Sequence, residues 1–332
     1  MAYLASMFFI THKKYFLGLG AAIVLASIII LVTLGLRIGI DFTGGSLLEV
    51  AYETAPEKAD VEEALVPFDL GGTSVRGSLD ETGRDAYFIR TRDLNEAERE
   101  SISAAVVSLG TGGEITRYTS IGPVIGQELA DKAIYAIGGV VLIIVLYVAF
   151  AFAGIGTPVS SWIYGLTTIA VLAHDVLLPT AFMALLGYFV GAEVDVLFVM
   201  ALLAVLGYSV NDTIVIFDRV RENLKANRTE KKVIRRVPGE QDTEEIEYTL
   251  TAPYDEIVGS AVSQSMARSI NTSLTTMLAL AALYVLGGSV TQTFSLILLV
   301  GVLAGTYSSV CLAAPLVVAY NNWQHKKAKD SK

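Results

Sequence analysis

Six blocks of almost unbroken apolar sequence, at residues 16–34, 133–153, 159–186, 194–217, 269–286 and 294–318, constrain this chain more than any other feature. About 20 helical residues cross the hydrocarbon core of a bilayer, and each block approaches or exceeds that length. Backbone in lipid must satisfy its hydrogen bonds within its own segment, so the blocks are expected to be six membrane-spanning helices. Composition argues the same way. The chain is 53% hydrophobic and 17% charged, with a mean hydropathy of +0.56, whereas soluble proteins carry about 25% charged residues. A pair of soluble domains, which 332 residues could hold, is therefore set aside. His12, Lys13 and Lys14 precede the first block as they would a signal peptide. That block is too long for one, and Gly35-Leu36-Arg37 offers no small-residue cleavage site, so it is expected to stay as an anchor. The single cysteine, Cys311, lies inside the last block, which leaves no disulfide within the chain.

Charge orients the spans. Residues 36–131 hold 8 Lys/Arg against 18 Asp/Glu, a net of −10, which leaves +1 for the rest of a chain whose formal net is −9. Basic residues gather before span 1, after span 4 (Arg219, Arg221, Lys225, Arg228, Lys231, Lys232, Arg235, Arg236) and in the tail (Lys326, Lys327, Lys329, Lys332). The positive-inside rule then places both termini and the 218–267 loop in the cytoplasm and the acidic segment outside. Tyr15, Trp162, Tyr320 and Trp323 would mark the inner interface, and Tyr188 and Tyr284 the outer one. The domains expected are an N-terminus with span 1 (1–35), an outer α+β domain (36–131), spans 2–4 (132–217), a cytoplasmic loop (218–267), spans 5–6 (268–318) and a basic tail (319–332).

Two of these segments have internal patterning. In the outer one, residues 46–52 alternate like a strand, and Pro56 opens a short acidic helix over 57–67. Strands at 73–79 and 86–92 flank the turn Asp80-Glu81-Thr82-Gly83. Asn95 with Glu98 forms a capping box for a helix running to Leu109, and 114–121 is a last strand. The order β-α-β-β-α-β predicts a ferredoxin-like sandwich. In the 218–267 loop, Val233-Ile-Arg-Arg-Val237 and Glu245-Ile-Glu-Tyr-Thr-Leu-Thr251 flank Pro-Gly-Glu-Gln-Asp. That spacing suits a hairpin of a basic and an acidic strand, with a solvated linker as the plainer alternative.

Ionisable residues inside spans carry the chemistry. A charge at the bilayer centre costs at least ~3 kcal/mol on insertion scales, so one is rarely kept without use. His174 and Asp175 lie in span 3, Asp212 in span 4 and Arg268 at the start of span 5. Helix rise puts Asp212 and Arg268 about 24 and 27 Å below the outer surface and Asp175 about 18 Å below it, so the three can share one level. Two readings stand. Asp212–Arg268 is either a permanent ion pair that fixes packing, with Asp175 a protonated core group, or a relay. Ser209, Asn211, Thr213, Asn271, Thr272, Ser273, Thr275 and Thr276 line the same stretch, which suits water and proton movement, although hydroxyl residues also simply pack helices. A carboxylate that parts from its guanidinium in a dry site can take up a proton, which is what a relay requires.

The run Gly207-Tyr-Ser-Val-Asn-Asp-Thr-Ile-Val-Ile-Phe-Asp-Arg-Val-Arg-Glu-Asn223 resembles the fourth-span signature of the SecF family of protein-export membrane subunits. Further motifs agree in order: Gly39-Ile-Asp-Phe-Thr-Gly-Gly45, Ile121-Gly-Pro-Val-Ile-Gly-Gln-Glu-Leu129, Ala173-His-Asp175, and Ala267-Arg-Ser-Ile-Asn-Thr-Ser-Leu-Thr-Thr276 running to Gly287-Gly288. The resemblance covers nearly the whole chain. It implies a six-span half-transporter of the resistance-nodulation-division (RND) superfamily in the inner membrane, paired with SecD. Such a complex would assist the SecY–SecE–SecG translocon and its SecA motor by proton flow into the cell, acting on the translocating preprotein. YajC and a YidC-type insertase are further implied partners, and no cofactor or metal beyond the coupling proton and no nucleic acid. The family's proton-path residues fall on Asp212 and Arg268, and Asp175, His174, Asn211, Ser209, Thr213, Asn271 and Thr272 are secondary candidates. The loop after span 4 is longer than is usual in the family by about the length of the hairpin.

Other classes fit less well. No His-Glu-x-x-His or Gly-x-Gly-Asp supports an intramembrane protease, and Gly44-Gly45 lacks the Gly-Lys-Ser/Thr of a phosphate loop. Those two glycines are expected to serve a tight turn instead. A small-molecule or lipid exporter of the same superfamily and a passive translocon scaffold remain as alternatives.

Overall fold

The computed structural model describes residues 2–80, 82–151, 158–235 and 243–330. Helices α1 (Ala2–Thr11) and α2 (Lys13–Leu34) lead through a short α3 (Ile40–Thr43) into β1 (Gly45–Ala51), α4 (Lys58–Leu65), β2 (Ser74–Leu79), β3 (Asp85–Thr91), α5 (Glu96–Val107) and β4 (Glu114–Ile121). Then come α6 (Pro123–Ala151), α7 (Ser161–Phe189), α8 (Val196–Ala226), the strands β5 (Arg228–Arg235) and β6 (Thr243–Leu250), and α9 (Tyr254–Leu286). The chain finishes with α10 (Ser289–Ser308), a π-helical turn (Ser309–Ala313) and α11 (Ala314–Asp330). Among the described residues six helical runs are long and apolar enough to cross a membrane: α2, α6, α7, α8, α9 and the continuous run from α10 into α11.

Each apolar block maps onto one of these helices, with a residue or two of some blocks lying beyond the helix bounds, and several helices outrun their block. α6 starts at Pro123, α9 starts at Tyr254, and α8 continues to Ala226. Hydropathy finds only the part of a helix that needs lipid. The first turns of α9 are amphipathic instead, burying Tyr254, Ile257, Val258, Ala261 and Val262 at helical spacing against the bundle core. Tyr15, Trp162, Tyr188, Tyr284 and Trp323 stand exposed near span ends, as interfacial aromatics do, while Tyr320 is half-buried.

The four-stranded sheet has the antiparallel order β2-β3-β1-β4, the arrangement expected of a ferredoxin-like sandwich. Leu48 sits opposite Ile89 on one side and Tyr118 on the other. Leu48, Val50, Ile89 and Val75 form a core with Val61 and Leu65 of α4 and Ile102 and Val106 of α5. Asn95 caps α5 by accepting from the Glu98 amide at 2.9 Å, and the Glu98 carboxylate in turn accepts from the Asn95 amide at 3.0 Å. At α4 the capping box uses Glu57 and Asp60, and Pro67 falls in a 3-10 turn beyond the helix.

Gly44 and Gly45 make the handover from α3 to β1. Their φ values are +71° and +124°, and a Cβ would meet Pro123 Cα at 2.7 Å and the Thr91 carbonyl oxygen at 2.5 Å. This turn ties the sheet to the bundle. Asp41 accepts from the Val196 amide at the start of α8 at 2.9 Å. Arg90 donates to the Ile38 carbonyl at 2.9 Å and to Thr43 Oγ1 at 2.7 Å, and pairs with Glu193 at 3.4 Å. Between the sheet's open face and the bundle lies a cleft of about 850 Å³ lined by Arg76, Arg90 and Arg117 facing Asp41, Glu193 and Asp195.

At the other end of the bundle β5 and β6 pair antiparallel, with Lys231 opposite Glu247 in the backbone register. The predicted turn at 238–242 lies outside the described residues.

Two outcomes follow. Gly45→Ala should cost on the order of 1–3 kcal/mol from backbone strain alone, lowering the thermal midpoint of the purified protein. Gly18→Ala, with open space around it, should leave that midpoint unchanged or raise it. Hydrogen bonds from Arg92 and from the Asn95 amide hold the Glu98 carboxyl down at about 2. A depressed carboxyl contributes stability that is full above its unfolded value of about 4.3 and is lost as pH falls toward 2. Amide exchange at the start of α5 should accelerate across that window, and Glu98→Gln should abolish the pH dependence.

Candidate functional site within the helix bundle

Helix α8 supplies the centre of the site. Its buried stripe runs Leu202, Val205, Leu206, Ser209, Asp212, Thr213, Ile216 and Phe217, the i, i+3, i+4 pattern of one helix face. Three polar groups, Ser209, Asp212 and Thr213, therefore enter an otherwise apolar core. Asp212 is 4% exposed and accepts from Ser269 Oγ of α9 at 2.6 Å. Arg268 precedes Ser269, so it points away by about 100° of helix and lies on the exposed face. Its charge reaches Asp212 through space, but the two form no ion pair among the described residues.

Asp175 makes a separate cluster. It sits midway along α7, fully buried. Its Oδ1 lies 2.8 Å from His174 Nδ1, and its Oδ2 accepts from Ser308 Oγ of α10 at 2.6 Å and from Ser209 Oγ of α8. The level shared by Asp175, Asp212 and Arg268 is thus not one three-membered cluster. Ser209 and Asp212 are three residues apart on α8, so the two carboxylates occupy neighbouring turns with different partners.

The remaining candidates divide between core and surface. Thr213 is buried, and its Oγ1 has no partner among the described residues. Ser273 accepts from Tyr208 at 3.1 Å and from Thr306 at 2.7 Å, joining α8, α9 and α10. Asn271, Thr272 and Thr275 lie on the exposed face of α9 with Arg268, and Asn211 is exposed on α8. Thr272 and Thr275 turn their hydroxyls onto their own helix, donating to the Arg268 and Asn271 carbonyls. A guanidinium with one amide and two hydroxyls is an unusual stripe for a helix that crosses a bilayer.

Ser308 was not singled out from the sequence, yet it holds Asp175. A signal for it exists. Gly301-Val-Leu-Ala-Gly305 is a GxxxG run, whose glycines let two helices approach closely. At Gly301 a Cβ would lie 2.1 Å from Val205, and at Gly305 3.2 Å from Ser209. That approach brings Ser308, one turn on, to the carboxylate. The described residues contain no group of three or more His, Cys, Asp or Glu able to hold a metal ion. Ser269→Ala removes Asp212's hydrogen-bond donor, and should cost about 1 kcal/mol in unfolding experiments in detergent; Thr272→Ala, on the exposed face, should cost less than half of that.

Residues 101–238 and 240–323 match the family described as protein export membrane protein SecD/SecF, C-terminal, and residues 29–56 match the SecD/SecF GG motif. The protein translocase subunit SecF of Thermobaculum terrenum is 35% identical over 92% of this chain and 90% of its own. That of Sebaldella termitidis is 32% identical over 92% and 89%, and that of Anaerolinea thermophila 32% over 96% and 98%. A crystal structure of SecDF, a translocon-associated membrane protein from Thermus thermophilus, superposes with a TM-score of 0.76 at 29% identity. It covers 95% of this chain, which spans 38% of that longer one.

Proposed function

The chain belongs to the SecD/SecF family of protein-export membrane proteins, and from that premise we propose that, as a SecF subunit paired with a SecD half, it uses the proton gradient to assist Sec-dependent export. One observation carries the proton-coupled part. A buried carboxylate, Asp212, lies within electrostatic reach of a guanidinium that faces outward and has no ion pair among the described residues. Lipid is a poor cover for such a face. A second half-transporter laid against α8 and α9 would bury Arg268, Asn211, Asn271 and Thr272 together and close a dry, polar chamber around Asp212.

In that chamber Asp212 is the group that gains and loses the proton. Unprotonated, it draws on Ser269 and on Arg268; protonated, it releases Arg268 to other acceptors. Because Asp41 caps the other end of the same helix, a tilt of α8 reaches the sheet domain without passing through a loop. The basic residues flanking the hairpin end of the bundle support an orientation with that end in the cytoplasm and the sheet domain outside. The SecY–SecE–SecG translocon, YajC, a YidC-type insertase and the emerging preprotein are the partners this reading brings with it.

The test uses vesicles of the chain together with a SecD half, energised by a proton gradient. Asp212→Asn, nearly isosteric, should reduce proton flux to the leak of empty vesicles and slow preprotein translocation. Wild-type flux in that variant would sink the relay and leave a passive scaffold, and gradient-driven efflux of a small dye would favour an exporter instead.

A further inference from the structure

His174 is 2% exposed, and its Nε2 is buried with no partner among the described residues. An orphaned nitrogen in a dry core costs about 1–3 kcal/mol unless it has a use. Its surroundings are specific. The Asp175 carboxyl group receives His174 Nδ1, Ser308 Oγ and Ser209 Oγ. Two hydroxyl donors suit the ionised, acceptor-only form, which then takes a protonated Nδ1 as its third donor. The Nε2 lone pair is then bare. This is a base held in one tautomer by a carboxylate, on a ring that packing keeps in place.

The backbone is irregular on both sides of the pair. Pro179 lies four residues after Asp175 in α7, and its missing N–H leaves the Asp175 carbonyl without its helical donor. In the sixth span the π-helical turn Ser309–Ala313 begins one residue after Ser308. Such turns inside α-helices recur at functional sites.

We propose that His174 Nε2 is a second proton-binding atom, with Asp175 as its counter-ion. Unloaded, the pair carries one negative charge; loaded, it is a neutral imidazolium–carboxylate pair, so proton uptake removes a buried net charge. The other titratable groups beside it are few. The Tyr307 ring of α10 lies tilted to the imidazole with centroids 5.8 Å apart, and its hydroxyl donates to the Phe16 carbonyl of α2. Cys311 lies in the π-helical turn, and Asp212 one turn along α8. The cations of α2 are Lys13 and Lys14 at its first two positions, and Lys13 is engaged with Asp255. Shared attachment to α8 through Ser209 couples this site to Asp212: like charges on adjacent turns make proton binding at one oppose proton binding at the other.

This inference rests on the proton-driven reading, yet its test does not depend on export. The full chain, labelled with 15N-histidine in lipid vesicles, carries His12, His174 and His325. His12→Gln and His325→Gln, both at exposed positions, assign the His174 signals by elimination. At alkaline pH the ring should show Nδ1 protonated and Nε2 bare, with Nε2 gaining its proton as the pH is lowered. Asp175→Asn, which removes the counter-charge, should weaken that binding about tenfold. An Nε2 protonated throughout, or bare throughout, overturns the proposal. Proton flux with no such titration overturns this site alone. Titration without flux in the wild type overturns the relay and not the site.

Discussion

Carboxylates placed among hydrocarbon must find hydrogen-bond donors within the protein, and this bundle meets that demand in two unequal ways. Asp175 has its donors complete: an imidazole from its own helix and hydroxyls from α8 and α10. Asp212 has one serine and a guanidinium beyond ion-pair reach. The first arrangement locks three helices together, since moving any of them strips a donor from a buried charge. The second leaves a carboxylate whose environment a modest shift of α9 can change. A bundle that is rigid around one acid and adjustable around the next is suited to concentrate motion at the α8–α9 contact.

Helix α8 takes part in each of these constraints. Its first turn is capped by Asp195 and by Asp41 from the sheet domain's leading turn, its middle carries Ser209 and Asp212, and its end leads into β5 within two residues. Glycines decide how close its neighbours come. Gly301 and Gly305 let α10 lie against Val205 and Ser209, while Gly44 folds the chain so that Asp41 reaches Val196. A bulkier residue at any of these positions would separate the parts that the polar contacts need together.

Much of the architecture could be read from the amino acids. The six apolar blocks, the capping box at Asn95 and the β-α-β-β-α-β order each reflect local chemistry, and the observed strand order agrees with them. What escaped was set by tertiary packing. α9 begins at Tyr254 because its first turns bury one face on protein, which a hydropathy window tuned to lipid passes over. Helix rise placed Arg268 and Asp212 at one depth, but rotation about the helix axis decides which side chains meet, and Ser269 took the inward position. Ser308 reaches Asp175 only because α10 packs tightly on α8 and then loosens into a π-helical turn, neither of which a polar residue in an apolar run announces. His174 and Asp175 were legible as candidates, though not as a hydrogen-bonded pair.

The exposed stripe on α8 and α9 bears on why half a transporter would be built this way. An arginine facing hydrocarbon costs at least ~3 kcal/mol on insertion scales, and its long side chain can reduce this only by reaching the interface. Here Arg268 is flanked on its face by Asn271, Thr272 and Thr275, and Asn211 is exposed on the adjoining helix α8. A lone guanidinium is tolerated by snorkelling, but side-chain amides are too short to do so. The same polarity becomes favourable once a second polar helix face covers it, because unmet donors and acceptors then find partners away from water. Pairing with a SecD half would therefore draw its stability from the residues that the proposed relay uses. On the proposed relay, assembly and proton coupling would be inseparable: a variant that makes this stripe apolar enough for lipid would also remove the groups to which the proposal assigns the proton path.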